Sequence, residues 1–401
     1  MKVLQVNCVY KKGSTGKIMY DIHTELQKRG IQSVMCYGRG ERVHEPNVYK
    51  TCGELYSKFN NLMTRFTGVM YGGCFFSTNR LISIIRKEKP DVVHLQCING
   101  YFVNIYRLIT WLKKNHIKTV LTLHAEFMYT ANCGHALDCE KWKTGCGNCP
   151  RRRQETKSLF LDGTAKSWKR MQAAFAGFEE LNVVAVSDWI ARRASESPFL
   201  KERGNVRIHN GIALDNFSCV AKEDERLRLE EKYRIPTDKR IILHVTPGFY
   251  DFVKGGEYFL EVAKRLPAEY QAVVVGCGDN VSEQILTIPF VRDQKDLAAI
   301  YRAADVFVIT SRIDNYPTVC IEANCCGTPV VGFRVGGVGE SIGEGLGETV
   351  PPFDVEQLVG RVLHWSNEKY KLREEMIEKR HHYCDRARMA QDYIRLYEQL
   401  V

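Results

Sequence analysis

The chain has 401 residues, of which 44% are hydrophobic and 26% charged; that is long for one core and excludes a low-complexity or disordered chain. Its longest uncharged runs, Phe66 to Asn79 and Val92 to Tyr106, are shorter than a bilayer span and carry polar residues, which argues against an integral membrane protein. The formal net charge of +10 is uneven, about +15 up to Asp215 and about −5 beyond it. A basic first half suggests an anionic partner: an inner-membrane surface, a phosphorylated lipid or nucleic acid; a merely solvated basic face is the plain alternative.

Met1 runs directly into a strand pattern, Val3 to Asn7, without the basic head, apolar run and small-residue site of a secretory signal, so a cytoplasmic protein is expected. A helix from about Gly16 to Arg29 and a strand from Gln32 to Tyr37 begin a parallel βαβ series. Strands follow at Asp91 to Gln96, Thr119 to His124 and Asn182 to Ser187, each ending in a polar residue. Ligands of open parallel sheets bind just past such carboxyl ends. After a charged helical stretch, Lys222 to Lys232, the alternation restarts. Strands are expected at Arg240 to Val245, Gln271 to Gly276, Asp305 to Thr310 and Pro329 to Phe333, with helices at Gly256 to Leu266, Gln294 to Ala303 and Thr318 to Cys326. The reading is an α/β protein of two Rossmann-like lobes, residues 1–213 and 214–385, with a last helix at 386–401 packing back on the first.

Gly13-Ser14-Thr15-Gly16-Lys17 lies between the first strand and helix, where free N–H groups favour an anion. It is no nucleotide-hydrolysing P-loop, because Lys11 stands at the first required Gly and Ile18 at the metal-binding hydroxyl. A phosphate- or sugar-facing loop and a plain tight turn both remain open. In the second lobe, Ser311 to Glu322 follows a buried strand and opens a helix; Pro317 suits its first turn, leaving the amides of Thr318 and Val319 for a diphosphate. Glu322, one turn on, can accept from ribose hydroxyls, and Asp314 can reach the sugar; both are otherwise surface acids. Lys254-Gly255-Gly256 sets an ammonium beside a helix start, where it can neutralise a departing diphosphate.

His124 ends its strand and could donate a bond to a sugar hydroxyl, although a single His is more often structural. Cys133, Cys139, Cys146 and Cys149 are spaced as a structural zinc site within one loop; paired or free thiols are the alternative. The other cysteines, such as Cys8, Cys36, Cys277 and Cys320, read as reduced core thiols. Arg151-Arg152-Arg153 is either a solvated run or an anchor for a phosphate or lipid headgroup.

Taken together, Gly13 to Gly16, Pro90-Asp91-Val92-Val93-His94-Leu95, Thr122-Leu123-His124, Cys139 to Pro150, His209-Asn210-Gly211-Ile212, Lys254-Gly255, and Asp314 to Glu322 followed by Gly327-Thr328-Pro329 resemble glycosyltransferase family four, in its branch for capsule, exopolysaccharide or O-antigen chains. The resemblance implies a GT-B fold with a cleft between the lobes, a UDP- or GDP-sugar donor, and transfer with retention and without a catalytic metal. A lipid-linked or oligosaccharide acceptor follows from it too. The leaving diphosphate would guide the acceptor, in contrast to the paired carboxylates of retaining glycosidases. On this resemblance Lys254 holds the diphosphate, Glu322 the ribose, Asp314 and His124 the donor sugar, and Gly13, Ser14, Thr15 and Gly16 line the cleft. Ser187, Asn210, Arg292, Thr318 and Val319 complete the donor-binding set.

Three departures stand out. Asp314 replaces the family's usual Glu, the common Arg before Lys254 is missing so that Arg292 or backbone amides take its part, and Ala125 follows His124 where Asp is frequent, leaving Glu126 as the nearest carboxylate. Ala125 and the missing Arg keep open a silent relative that binds sugar nucleotide without transferring it. A zinc-containing nucleic-acid-binding protein is the remaining alternative, and the missing aromatic-interleaved basic face argues against it.

Overall fold

The computed structural model describes residues 1–219, 224–369, 372 and 374–401. They divide into two units, Met1–His209 with Met389–Val401, and Asn210–Arg388. The first unit opens with β1 (Lys2–Val9), α1 (Gly13–Lys28), β2 (Gln32–Arg39), β3 (Val48–Lys50), α2 (Glu54–Thr67) and α3 (Phe75–Glu88). It continues with β4 (Val92–Leu95), α4 (Ile105–Lys114), β5 (Thr119–Leu123), α5 (Phe127–Thr130), α6 (Arg152–Glu155), α7 (Thr164–Phe175), β6 (Leu181–Ala185), α8 (Asp188–Ser195) and β7 (Asn205–Arg207). The seven strands form one parallel sheet in the order β3-β2-β1-β4-β5-β6-β7. Continuous apolar runs such as Val-Val-His-Leu in β4 are buried along their length, as strands covered on both faces require. The chain reverses direction across the sheet between β1 and β4, so the carboxyl ends of these strands and of β5 flank the switch point.

The second unit contains α9 (Glu225–Tyr233), β8 (Arg240–Val245), α10 (Gly256–Lys264), β9 (Tyr270–Val275), β10 (Ile285–Ile288), α11 (Gln294–Ala303), β11 (Val306–Ile309) and α12 (Thr318–Cys325). It ends with β12 (Val330–Phe333), α13 (Val338–Ser341), β13 (Gly347–Val350), α14 (Val355–Glu368), α15 (Glu374–Cys384) and the start of α16 (Arg386–Leu400). Its sheet is again wholly parallel, in the order β10-β9-β8-β11-β12-β13. Ile242, Val274, Val308 and Val331 from four strands pack with Phe259 of α10 and Leu358 and Val362 of α14. Helix α9 is too charged to be held by apolar burial alone. It docks through Glu225, which accepts twice from Arg302, and through Asp296, which accepts from Arg228, Lys232 and Tyr233. Lys222 and Glu223, which begin the charged stretch in the sequence, lie outside the described residues.

From Met389 onward α16 belongs to the first unit. Met389, Tyr393, Ile394 and Tyr397 pack against Val3, Val92, Val120 and Val184 of the sheet and Ile18, Ile22 and Leu26 of α1. The Tyr397 hydroxyl lies 2.7 Å from His94 Nδ1 and the Tyr393 hydroxyl 3.0 Å from Thr122 Oγ1, so the polar atoms of this aromatic face are paired inside the core.

Candidate active site

In the first unit, groups with hydrogen-bonding capacity converge at the carboxyl ends of β1, β4 and β5. Asn7 in β1 donates to Val9 O and accepts from the Cys97 amide, which fixes the turn after β4. Gln96, fully buried, donates to Gln5 Oε1 at 2.8 Å, and its own Oε1 lies 2.9 Å from His124 Nε2. With Nε2 donating to that oxygen, the neutral ring carries no proton on Nδ1. Burial lowers the His124 pKa to about 4, so the ring is uncharged near neutrality. Helix α1 starts at Gly13, whose φ of +63° is open to glycine, and Asn7 Nδ2 reaches Thr15 Oγ1 at 3.5 Å. Ser187 is spent locally: it is the N-cap of α8, and its hydroxyl accepts from the Ile190 amide. Gln96 is one of the polar residues that end the strands expected from the sequence, whereas the sequence does not single out Asn7 as a site residue.

The second unit assembles charge at the equivalent ends of its sheet. Gly255 adopts φ +61°, and a Cβ there would stand 2.2 Å from Thr310 O, so only glycine lets the chain after β8 press against the end of β11. The Arg312 amide donates to Val253 O and the Thr310 hydroxyl to Lys254 O, which fixes Lys254 beside the segment carrying Asp314. Lys254 Nζ then meets Asp314 Oδ2 at 2.9 Å, and the charge of Asp314 raises the lysine pKa above its ordinary value. Arg292, which the sequence offers in place of the missing arginine, is exposed just before α11.

Helix α12 begins just beyond Asp314. Pro317 is its N-cap and not its first helical residue: its extended ψ of 120° turns the carbonyl into the helix, where it accepts from Cys320 N at 3.2 Å. A proline offers no side-chain cap, so the amides of Thr318 and Val319 open the helix under its dipole. Glu322 is buried on this helix and accepts from the hydroxyl of fully buried Tyr301 at 3.1 Å. Asn210 sits behind the same segment, donating to Tyr316 O.

The cysteine loop departs from expectation. All fifteen cysteines are free, and among the described residues no three His, Cys, Asp or Glu side chains form a group that could hold a metal ion, so the zinc site expected from Cys133, Cys139, Cys146 and Cys149 has no support here. Burial raises the Cys133 thiol well above its usual range and Cys146 to about 11. Other groups hold the loop. Fully buried Glu126 accepts from Arg193, Tyr129 and the Ala136 amide, while Arg151 donates to the carbonyls of His135 and Ala136. Glu126 is thus a structural clamp, and Arg151 and Arg152 are engaged with protein oxygens. No helix among the described residues is long and apolar enough to cross a membrane.

Residues 15–216 match the family model described as Glycosyltransferase Family 4, and residues 225–382 match that described as Glycosyl transferases group 1. A putative colanic acid biosynthesis glycosyl transferase, WcaC, of Escherichia coli strain K12 is 24% identical over 382 residues, covering 90% of this chain and 89% of the relative. Among solved structures, a glycosyltransferase from Rickettsia africae superposes with a TM-score of 0.67 at 17% identity, over 100% of this chain and 98% of its own. HepE of Anabaena, solved in complex with UDP-glucose, gives 0.64 at 14% identity over the whole of both chains. The fold is that of the GT-B glycosyltransferases.

Proposed function

The chain belongs to glycosyltransferase family 4, and from that premise we propose that it moves a hexose-type sugar from a UDP- or GDP-sugar, with retention of configuration, onto a growing surface-polysaccharide or lipid-linked glycan. The observation that carries this reading is the Lys254–Asp314 pair beside the proline-capped start of α12. It supplies one cation and a set of backbone donors suited to a pyrophosphate. Lys254 exchanges Asp314 for the diphosphate as the donor binds, and it stabilises the charge that grows on the leaving group. The amides of Thr318 and Val319 share that charge. Glu322, oriented by Tyr301, accepts from the ribose hydroxyls, and Asp314, released from the lysine, turns to the sugar. In the first unit His124 and the Gly13–Gly16 loop supply hydrogen-bonding groups for sugar hydroxyls.

The UDP-glucose bound by HepE supports a uridine donor, and the colanic acid biosynthesis that WcaC is named for supports a surface-polysaccharide acceptor. A thermal-shift screen over UDP-, GDP- and dTDP-sugars tests the donor, because a ligand of the native state raises the melting temperature. The expected result is a shift with one UDP- or GDP-sugar that is smaller in Lys254→Ala. A shift undiminished in that variant removes the lysine from the reading.

A further inference from the structure

Helix α2 is seated the wrong way round for a helix of a globular core. Its buried residues are polar, namely Ser57, Asn60 and Thr64, whereas Leu55, Phe59, Leu62, Met63 and Phe66 face outward. The outward set recurs at helical spacing and forms one continuous apolar stripe. The orientation is fixed from inside. The Ser57 hydroxyl donates to Gly100 O at 3.0 Å, and Asn60 Oδ1 accepts from the Cys74 amide at 2.7 Å. Gly73 leaves room for that contact, since a Cβ there would stand 2.2 Å from Asn60 Oδ1.

The stripe is extended on both sides. Phe76, 78% exposed at the start of α3, packs on Tyr56, and Phe160 stacks on Phe66 with ring centroids 5.9 Å apart. Leu159 and Leu161 flank Phe160 and are also exposed. A contiguous apolar surface of this kind on a polar protein marks a docking site.

Charge decides the occupant. From Glu54 to Lys87 the only acidic residue is Glu54, which is paired with Arg39, against the cations Lys58, Arg65, Arg80, Arg86 and Lys87. Phe75 also lines a cavity of about 840 Å³ whose other charged walls are Arg86, Arg107, Lys114 and Arg170, with no acidic residue among them. A second copy of this chain would bring the same cations face to face, which opposes self-association. Phosphate headgroups over hydrocarbon complement both the rim and the stripe.

We propose that this face of the first unit docks on an anionic phospholipid bilayer, with the α2 stripe and the 159–161 loop inserted into the headgroup boundary and the Arg86–Arg170 cavity taking lipid phosphates. The inference deepens the reading of a lipid-linked acceptor, and for its purpose it rests on that reading. Flotation of the full chain with vesicles, without donor, reads the face alone. Transfer of sugar onto a water-soluble acceptor fragment reads the reaction, so either can fail while the other stands.

Wild-type protein is expected to float with phosphatidylglycerol–phosphatidylethanolamine vesicles and not with phosphatidylcholine. The double substitution Phe59→Ser with Phe66→Ser lowers partitioning by at least about tenfold, and Arg86→Gln with Arg170→Gln lowers it by about fivefold per charge. All variants keep the wild-type melting temperature, because the altered side chains are exposed. Failure of the wild type to bind, or binding unchanged in the α2 double variant, overturns the proposal. So does displacement from vesicles by millimolar inorganic phosphate, which would mark an anion pocket in place of a bilayer face. A dimer in light scattering that the same α2 substitutions dissolve, without vesicle binding, would assign the face to a second copy and also overturn it.

Discussion

Two sheets of the same construction carry opposite chemistry toward their carboxyl ends. In the first unit the groups at β1, β4 and β5 are amides and an uncharged imidazole, linked through Gln5, Gln96 and His124. In the second, the ends of β8 and β11 carry an ammonium and a carboxylate 2.9 Å apart, with a second carboxylate buried on the following helix. Parallel strands followed by helices make a binding edge whatever the sequence, and the side chains placed there decide whether it serves neutral hydroxyls or a charged phosphate. The first unit does hold a buried ion pair, Glu126–Arg193, just past the end of β5, and Glu126 also accepts from the Ala136 amide of the cysteine loop.

The contrast breaks if Glu126 turns out to act on the sugar. Glu126→Ala strips the largely buried Arg193 guanidinium of its 2.8 Å carboxylate partner and leaves only the longer contact to half-exposed Glu140, a loss toward the low end of about 3–5 kcal/mol. Chemical denaturation should show that drop while donor binding at the second unit, measured on the folded protein, stays at the wild-type value. A stable variant that cannot transfer sugar would place Glu126 in the chemistry. Lys254→Ala tests the other side. Removal of a preorganised charge from a leaving group costs on the order of 10²-fold in kcat, and steady-state kinetics should show that fall with the acceptor KM nearly unchanged. A fall confined to acceptor KM would contradict the role assigned to the lysine.

Much of this arrangement is legible in the sequence. Arg240–Val245 and Gln294–Ala303 form the elements that their periodicity predicts, end for end, and the last helix ends one residue short of its expected end, at Leu400. Edge strands β3, β7, β10 and β13 do not announce themselves: β4, β11 and β12 are as short but buried throughout, whereas each edge strand has half or more of its few residues outside the core and carries no continuous apolar run. Pairings are also invisible, since Lys254 and Asp314 are 60 residues apart and Glu126 and Arg193 are 67 apart. The cysteine spacing suggested a metal, whereas the folded loop satisfies its carbonyls with Arg151 and Lys141. Helix α2 was missed for a related reason. An amphipathic period says that one face is apolar, not whether that face turns inward.

The neutral character of the first site can be sharpened by pH. Burial holds His124 at about 4 and His94 at about 3, against an unfolded value near 6.5. Between those limits the unfolded chain binds protons that the folded rings refuse. Stability is therefore complete above about pH 6.5 and is lost as pH falls toward 4 for His124 and 3 for His94. His124→Gln keeps a polar partner for Gln96 and removes one titrating ring. The melting temperature of this variant should fall less steeply than wild type between pH 6.5 and 4. Equal slopes would mean that the His124 ring is already charged in the fold.

The smallest expected effect separates a carboxylate that merely lies on α12 from one that is aimed. Tyr301 is wholly buried and gives its hydroxyl to Glu322 Oε2 at 3.1 Å, while its ring packs edge-on against Phe307 and Phe217. Tyr301→Phe keeps the ring and deletes only that donor, so the cost is one hydrogen bond to a charged group, about 1.5–3 kcal/mol at most. If Glu322 binds the ribose, loss of this orienting bond makes the carboxylate less well aimed, and the donor KM rises by a factor of a few to about tenfold with kcat retained. A loss of stability with donor KM unmoved would show instead that Glu322 serves the fold of α12 alone, and the charge at this end of the sheet would then reduce to Lys254 and Asp314.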